Sequence, residues 1–343
     1  MAEFIIEYGL FLAKTVTIVI AIVIIIVLVF SQSGKSKSKG KERLEIKKLN
    51  NKYEEMAHIL KMEILPKEEL KQAFKKEKQQ HKAEKKKEAA GVHKKRLFVL
   101  NFDGDIKASA LSSLREEITA VLTVATPEDE VFVRLQSGGG LVHAYGLAAS
   151  QLLRLKNHNI SITVSVDKVA ASGGYMMACV ANHIVAAPFA VLGSIGVLAQ
   201  VPNFNRLLKK SNIDYEQFTA GEFKRTVTMF GENTDTARAK FREELEDTHL
   251  LFKEFVSQNR PQLDISRVST GEHWLGIRAK ELNLVDELAT SDDYLLEKSK
   301  EADLYEITYS TKKSLGSRLS SFMHHTMERL LFSWQQSDQK HLL

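Results

Sequence analysis

The 343-residue chain has one cysteine, five prolines and two tryptophans. The single cysteine, Cys179, excludes an intrachain disulfide and a cysteine-built metal site. The G-x-G-x-x-G spacing of a dinucleotide site is missing, and so is the phosphate-binding G-x-x-x-x-G-K-[ST] pattern. No histidine lies between His183 and His249. Excess positive charge is confined to one stretch. Residues 31–96 hold 21 Lys/Arg against 10 Asp/Glu, a net of +11, which leaves −6 on the rest of a chain whose total is +5. The basic balance comes from one segment and not from a basic fold, which weakens any reading of the whole protein as a nucleic-acid binder, and no nucleic acid is expected as a partner.

Long apolar runs are also absent, with one exception. Thr15–Phe30 is sixteen uncharged residues dominated by Ile and Val, and extending it back to Tyr8 adds one charge, Lys14. About 20 such residues span a hydrocarbon core as a helix. Val29-Phe30-Ser31-Gln32 does not match the small-residue A-x-A site of a cleaved signal peptide. Residues 8–30 are therefore expected to form an uncleaved transmembrane anchor, with the lipid bilayer as a partner. Seven Lys/Arg in residues 31–50 would place the bulk of the protein in the cytoplasm.

Residues 31–95 read as a Lys/Glu-rich spacer, helical or partly disordered. Leu44, Leu49, Tyr53, Met56, Leu60 and Ile64 give it a weak helical stripe, and residues 75–90 are too polar to bury a face. The texture changes at Arg96. Strands are expected at 96–102, 130–136, 160–166 and 183–187, and helices at 110–125, 142–156 and 175–181. Leu111, Leu114, Ile118, Val121 and Leu122 share one side of the first of these helices. Such alternation argues for an α/β fold with a parallel sheet, and 96–310 is long enough for one substantial core. A long helix over 234–259 would present Phe241, Leu245, Leu250, Leu251 and Phe255. Residues 271–290 read as turn, helix and short strand. The tail 311–343 carries an amphipathic stretch at 317–334.

Two glycine-rich turns follow strands: Ser137-Gly138-Gly139-Gly140, and Ser172-Gly173-Gly174 within Ala170–Tyr175. Either alone is ordinary tight-turn geometry. Ser172 enters a helix, where a serine usually only caps. The same geometry exposes its hydroxyl beside bare N–H groups, which is what an oxyanion requires. The Gly173 N–H offers one donor and the 138–140 turn offers another. A serine nucleophile also needs a base. His143, His183, His249 and His273 remain open for that role. Lysine is the alternative if burial lowers its pKa toward about 7–8, and Lys224, beside Phe223, is the candidate.

AASGGYMMACVA (170–181), GSIGV (193–197) and TAGEFKRT (219–226), with Ser172 and Lys224 52 positions apart, resemble the Ser–Lys peptidases of the signal peptide peptidase A type, in its smaller membrane-anchored branch. The resemblance covers nearly the whole chain. It implies a Clp protease/crotonase-like fold of stacked β-β-α units behind one N-terminal transmembrane helix. It implies a serine endopeptidase with Ser172 as nucleophile, a buried neutral Lys224 as general base, and Gly173 in the oxyanion hole. Ser194 would hydrogen-bond the lysine. The 137–140 turn matches the family's S-P-G-G segment, with Gly138 in place of proline, which leaves the second donor open between Gly139 and Gly140. Arg225 stands where many relatives carry an acidic residue. No metal or cofactor is implied. Peptides or membrane-associated polypeptides are the implied substrates, a homo-oligomeric ring the implied assembly, and the inner membrane the implied location, with the catalytic domain on the periplasmic side. Two other functions fit the pattern: a non-proteolytic crotonase-like protein that holds an acyl carbonyl, and a membrane scaffold without activity.

Overall fold

The computed structural model describes residues 7, 9–12, 14–18, 20, 42–89 and 94–311. The chain divides into two compact units, one formed by residues 1–44 and 309–343 and the other by residues 45–308.

In the first unit, residues 7, 9–12, 14–18 and 20 are helical. The anchor expected over 8–30 is corrected: among the described residues no helix is long and apolar enough to cross a membrane. Residues 21–30 lie outside the described residues, as does the amphipathic stretch at 317–334. With the anchor fall the transmembrane part of the fold class, the lipid bilayer as a partner, the membrane-anchored form of the activity and the single-pass inner-membrane location.

The elements run β1 (Glu42–Lys48), α1 (Leu49–Ile64), α2 (Lys67–Ala89), β2 (Lys95–Gly104), α3 (Leu111–Leu122), β3 (Glu130–Ser137), α4 (Val142–Asn157), β4 (Ser161–Val166), β5 (Val169–Ala171), α5 (Gly173–Ala178), β6 (His183–Ala186) and β7 (Val191–Gly193). Then come α6 (Asn205–Lys210), α7 (Asp235–Asn259), α8 (Ile265–Val268), β8 (His273–Leu275), α9 (Gly276–Glu281), β9 (Glu287–Leu288), α10 (Ser291–Lys298) and β10 (Ala302–Thr311). The segment read as a spacer thus holds a strand and two helices. Of its stripe only Leu49 is buried; Met56, Leu60 and Ile64 are exposed.

One sheet runs in the order β1-β10-β2-β3-β4-β6-β9, with β5 paired to the end of β3 and β7 to β5. The pairs from β10 through β9 are parallel, and β7 with β8 is antiparallel, so the sheet is mixed. The central strands β2, β3, β4 and β6 are largely buried on both faces, as parallel strands between helices must be. Along β3, Val131, Val133 and Leu135 face the main core with Leu114, Ile118 and Leu152 of α3 and α4. Phe132 points the other way, to Leu97, Val99, Leu295 and Leu304. Asn50, nearly buried at the start of α1, donates to the carbonyls of Ser299 (3.0 Å) and Ala302 (2.9 Å) and accepts from Leu304 N–H (2.8 Å), tying α1 to the start of β10. On α7 the buried positions are Phe252 and Val256, whereas Leu250 and Leu251 are exposed, so the buried face is rotated from the one expected.

Arg260, 2% exposed just past α7, makes a two-pronged pair with Asp286 (2.7 and 2.8 Å) and also donates to the Asn283 carbonyl (2.9 Å). Burial pushes the Asp286 carboxyl up. The Arg260 bonds and the Ile184 N–H outweigh it, and the net shift is downward. A depressed carboxylate stabilises above its unfolded pKa of about 3.9 and loses that contribution as pH falls through its folded value. Asp286→Ala leaves a buried guanidinium uncompensated. It should cost about 3–5 kcal/mol in urea unfolding at neutral pH, and the difference from wild type should shrink as pH drops below about 4.

Candidate active site

Three turns meet because the end of β3 pairs with the short strand β5, and β5 with the short strand β7. Ser137 of β3 lies opposite Ala170 of β5, and Ala170 and Ala171 lie opposite Leu192 and Gly193 of β7. The residues that follow, 138–140, 172–174 and 194–196, are thereby stacked side by side.

Ser172 has φ 51° and ψ −119°, a backbone region that costs a non-glycine residue about 1–3 kcal/mol. It is held there by its N–H donating to Gly193 O (2.8 Å) and by its carbonyl accepting from Met176 N–H (3.0 Å). Its hydroxyl makes no cap hydrogen bond to α5, so it does not serve as a helix cap. The two glycines after it are required by close packing. A Cβ on Gly173 would sit 2.4 Å from Tyr145 Cγ, and one on Gly174 would sit 2.4 Å from Ser137 O. The half-buried Ser172 side chain opens on a narrow cleft lined by Gly140, Val142, Tyr145, Gly173, Met176, Gly196, Val197, Thr248 and Phe252.

The glycine loop beside it distinguishes the two candidate donors. Gly139 has φ 89°, and a Cβ there would lie 2.7 Å from Gly173 N. Its N–H donates to Ser137 Oγ (3.0 Å), and neither residue lines the cleft. A Cβ on Gly140 would lie 2.1 Å from Ile106 O, and Leu141 N–H donates to that same carbonyl (2.9 Å). Gly140 lines the cleft, and among the described residues its N–H has no acceptor. Gly138 is exposed with open space for a Cβ and no positive φ. The special backbone demands thus fall on Gly139 and Gly140.

Ser194, half-buried with φ 51°, donates its N–H to Glu272 O (2.7 Å). Gly193 before it (φ 95°) leaves room for Trp274, whose Cε3 would meet a Cβ at 2.7 Å. Lys224 is not among the residues lining the cleft. It is exposed, as is Arg225, in a segment whose regular element is the short α6; the Lys224 N–H donates to Gly221 O (3.2 Å). The expectation of a buried Lys224 is corrected on that point. No histidine lines the cleft either. His183 is 3.0 Å from Glu287, and His249 contacts Ile195 O (3.2 Å). Burial pushes the Cys179 thiol up to about 12, which removes it as a nucleophile. Among the described residues no three His, Cys, Asp or Glu group as a metal site.

Tyr145, Thr248 and Phe252 were not legible as site residues. Each is one buried or half-buried position on a long helix, and only the tertiary fold brings that position to the serine turn.

Comparison with known proteins agrees with this geometry. Residues 3–152 match Peptidase family S49 N-terminal and residues 154–305 match Peptidase family S49. The chain is 56% identical over 281 residues to the "Probable protease SohB" of Haemophilus influenzae, covering 79% of this chain and 80% of that one. It is 56% identical over 239 residues to the "Probable protease SohB" of Buchnera aphidicola subsp. Acyrthosiphon pisum, covering 70% and 71%. The "Protease 4" of Haemophilus influenzae is 25% identical over 206 residues, 58% of this chain and 33% of its own. Two adjoining family matches and a relative aligned over four-fifths of its length lead to one conclusion: the chain is a serine-type endopeptidase and belongs to peptidase family S49.

Proposed function

We propose that this chain hydrolyses peptide bonds with Ser172 as nucleophile, Lys224 as general base, and the N–H groups of Gly173 and Gly140 as the oxyanion donors. The observation that carries the reading is the strained Ser172, its hydroxyl free of any capping role, facing one cleft with Gly173 and Gly140. Gly140 is preferred to Gly139 because the Gly139 N–H is already engaged by Ser137.

In this mechanism the neutral Lys224 amine takes the proton from Ser172 Oγ as the oxygen attacks the peptide carbonyl. The carbonyl carbon becomes tetrahedral, and its oxygen gains negative charge against the two N–H donors. The resulting ammonium gives its proton to the departing amine, leaving an acyl ester on Ser172. Water then attacks the ester with the same amine as base, which restores the serine. Ser194 orients the lysine in this scheme. A lysine works as a base near neutral pH only out of water. Lys224 is exposed in the isolated chain. Its approach to the serine must therefore also desolvate it, and Val142, Met176, Val197 and Phe252 give the cleft apolar walls for that purpose.

Cleavage of fluorescein-labelled casein by the full chain should fall by about 10³-fold or more in Ser172→Ala and in Lys224→Ala, since dyad members act as a unit. Equal rates in the three proteins would end this reading.

The glycine loop gives a paired prediction. Gly140→Ala should lower turnover by about 10²–10³-fold, the usual loss for one oxyanion donor, because its Cβ would displace the loop from Ile106 O. Gly138→Ala, with open space at its Cβ, should stay within about twofold of wild type in the same assay, a surface change with no packing consequence.

A further inference from the structure

Tyr145 is 0% exposed and sits one turn into α4, directly after the glycine loop. Its ring lies beneath Gly173 and meets Phe102 edge-on, with centroids 6.4 Å apart. Its hydroxyl is 2.7 Å from Asp105 O and 2.5 Å from Ser137 Oγ. Ser137 is 1% exposed and accepts the Gly139 N–H at 3.0 Å. The direction of these bonds follows from counting protons. A carbonyl oxygen only accepts, so the one phenolic proton goes to Asp105 O. The Ser137 hydroxyl must then donate to the Tyr145 oxygen. The chain therefore runs one way, from Gly139 N–H to Ser137 to Tyr145 to the Asp105 carbonyl, with every proton used.

A second clamp lies alongside it. Leu141 N–H donates to Ile106 O, the carbonyl next to that of Asp105. Asp105 is itself fixed, its side chain accepting from the N–H groups of Lys107 (3.1 Å) and Ser109 (2.8 Å). Gly139 and Leu141 are thus both tied to one rigid turn, and Gly140 is held between them.

We infer that Tyr145 and Ser137 are positioning residues for peptide hydrolysis: the one-way hydrogen-bond chain sets the Gly140 N–H at the angle from which it meets the oxyanion beside Gly173. One side chain serves both halves of the oxyanion site, its ring supporting Gly173 and its hydroxyl reaching the glycine loop through Ser137. Burial raises the Tyr145 phenol above its ordinary value, so it stays protonated and able to donate through neutral and mildly alkaline pH. The inference rests on the reading of Ser172 and the oxyanion donors given above.

A misaligned oxyanion donor weakens binding of the transition state and leaves substrate binding alone. The test is steady-state cleavage of fluorescein-labelled casein by the full-length wild type, Tyr145→Phe, Ser137→Ala, the double variant and Ser172→Ala, with urea unfolding of each. Tyr145→Phe and Ser137→Ala should each lower kcat by about 10–100-fold, part of the full cost of a lost donor, with KM within about twofold. The double variant should fall no further than the worse single one, because both changes break one chain. Ser137→Ala, the smaller change, carries the test if Tyr145→Phe does not fold. An inactive Ser172→Ala beside undiminished kcat in both single variants would overturn this inference alone, as would multiplicative losses in the double variant. A Ser172→Ala protein with wild-type turnover would remove the underlying reading and the inference together.

Discussion

The site depends on one backbone hydrogen bond, from Ser172 N–H to Gly193 O. It continues the β5–β7 pairing one residue past the end of β5, into a residue whose φ is positive. Together with the Met176 N–H on the Ser172 carbonyl, it keeps a serine in that conformation without any capping bond from the side chain. The sheet supplies the rigidity. Ser137, Ala170 and Leu192 stand in one row across three strands, and each turn takes its position from that row. Close contact then fixes composition. Gly139, Gly140, Gly173 and Gly174 each sit where a Cβ would overlap another atom, in three of the four cases a backbone atom of another turn or loop.

The proposed nucleophile and the proposed oxyanion donors belong to this row; Lys224 does not. The segment that carries it is bonded largely to itself. Phe204 N–H reaches Met229 O, Asn203 holds the carbonyls of Thr228 and Gly231, and the rings of Phe204, Tyr215 and Phe230 pack together. Leu198 and Phe218, 79% and 88% exposed, mark this segment as apolar surface rather than core. The two halves of the proposed dyad are therefore organised by different forces: parallel strand pairing for the serine, and a small aromatic cluster for the lysine.

Much of this was legible in the sequence. The α/β alternation follows from apolar runs such as EVFVRLQ and ISITVSV, and β2, β3, β4, β6, α3 and α4 fall within a few residues of where periodicity puts them. Ser172 and the glycine turns stood out through composition. Three-residue strands such as β5 and β7 did not, because too few residues alternate to leave a pattern, yet they are what joins the turns. The strand β1 at the start of the spacer was not legible for a related reason. Charge dominates residues 42–89, and one buried asparagine, which binds backbone groups some 250 positions away, ties that segment to the domain. The apolar run at 8–30 has the length and composition of a span, yet among the described residues no helix is long and apolar enough to cross a membrane. The choice between Gly139 and Gly140 needed the direction of one N–H, which sequence does not carry.

The place of β10 bears on how the domain is completed during synthesis. It inserts between β1 and β2, pairing Ala302 with Lys95 across some two hundred positions. Until that stretch leaves the ribosome, β2 keeps a row of unpaired backbone groups, the kind of edge that recruits stray strands. Contacts between such distant positions form slowly. The sheet that frames Ser172 is therefore completed by nearly the last part of the domain to be made, and a nascent chain halted before residue 302 would have its glycine turns translated but an unpaired strand edge in the sheet beside them.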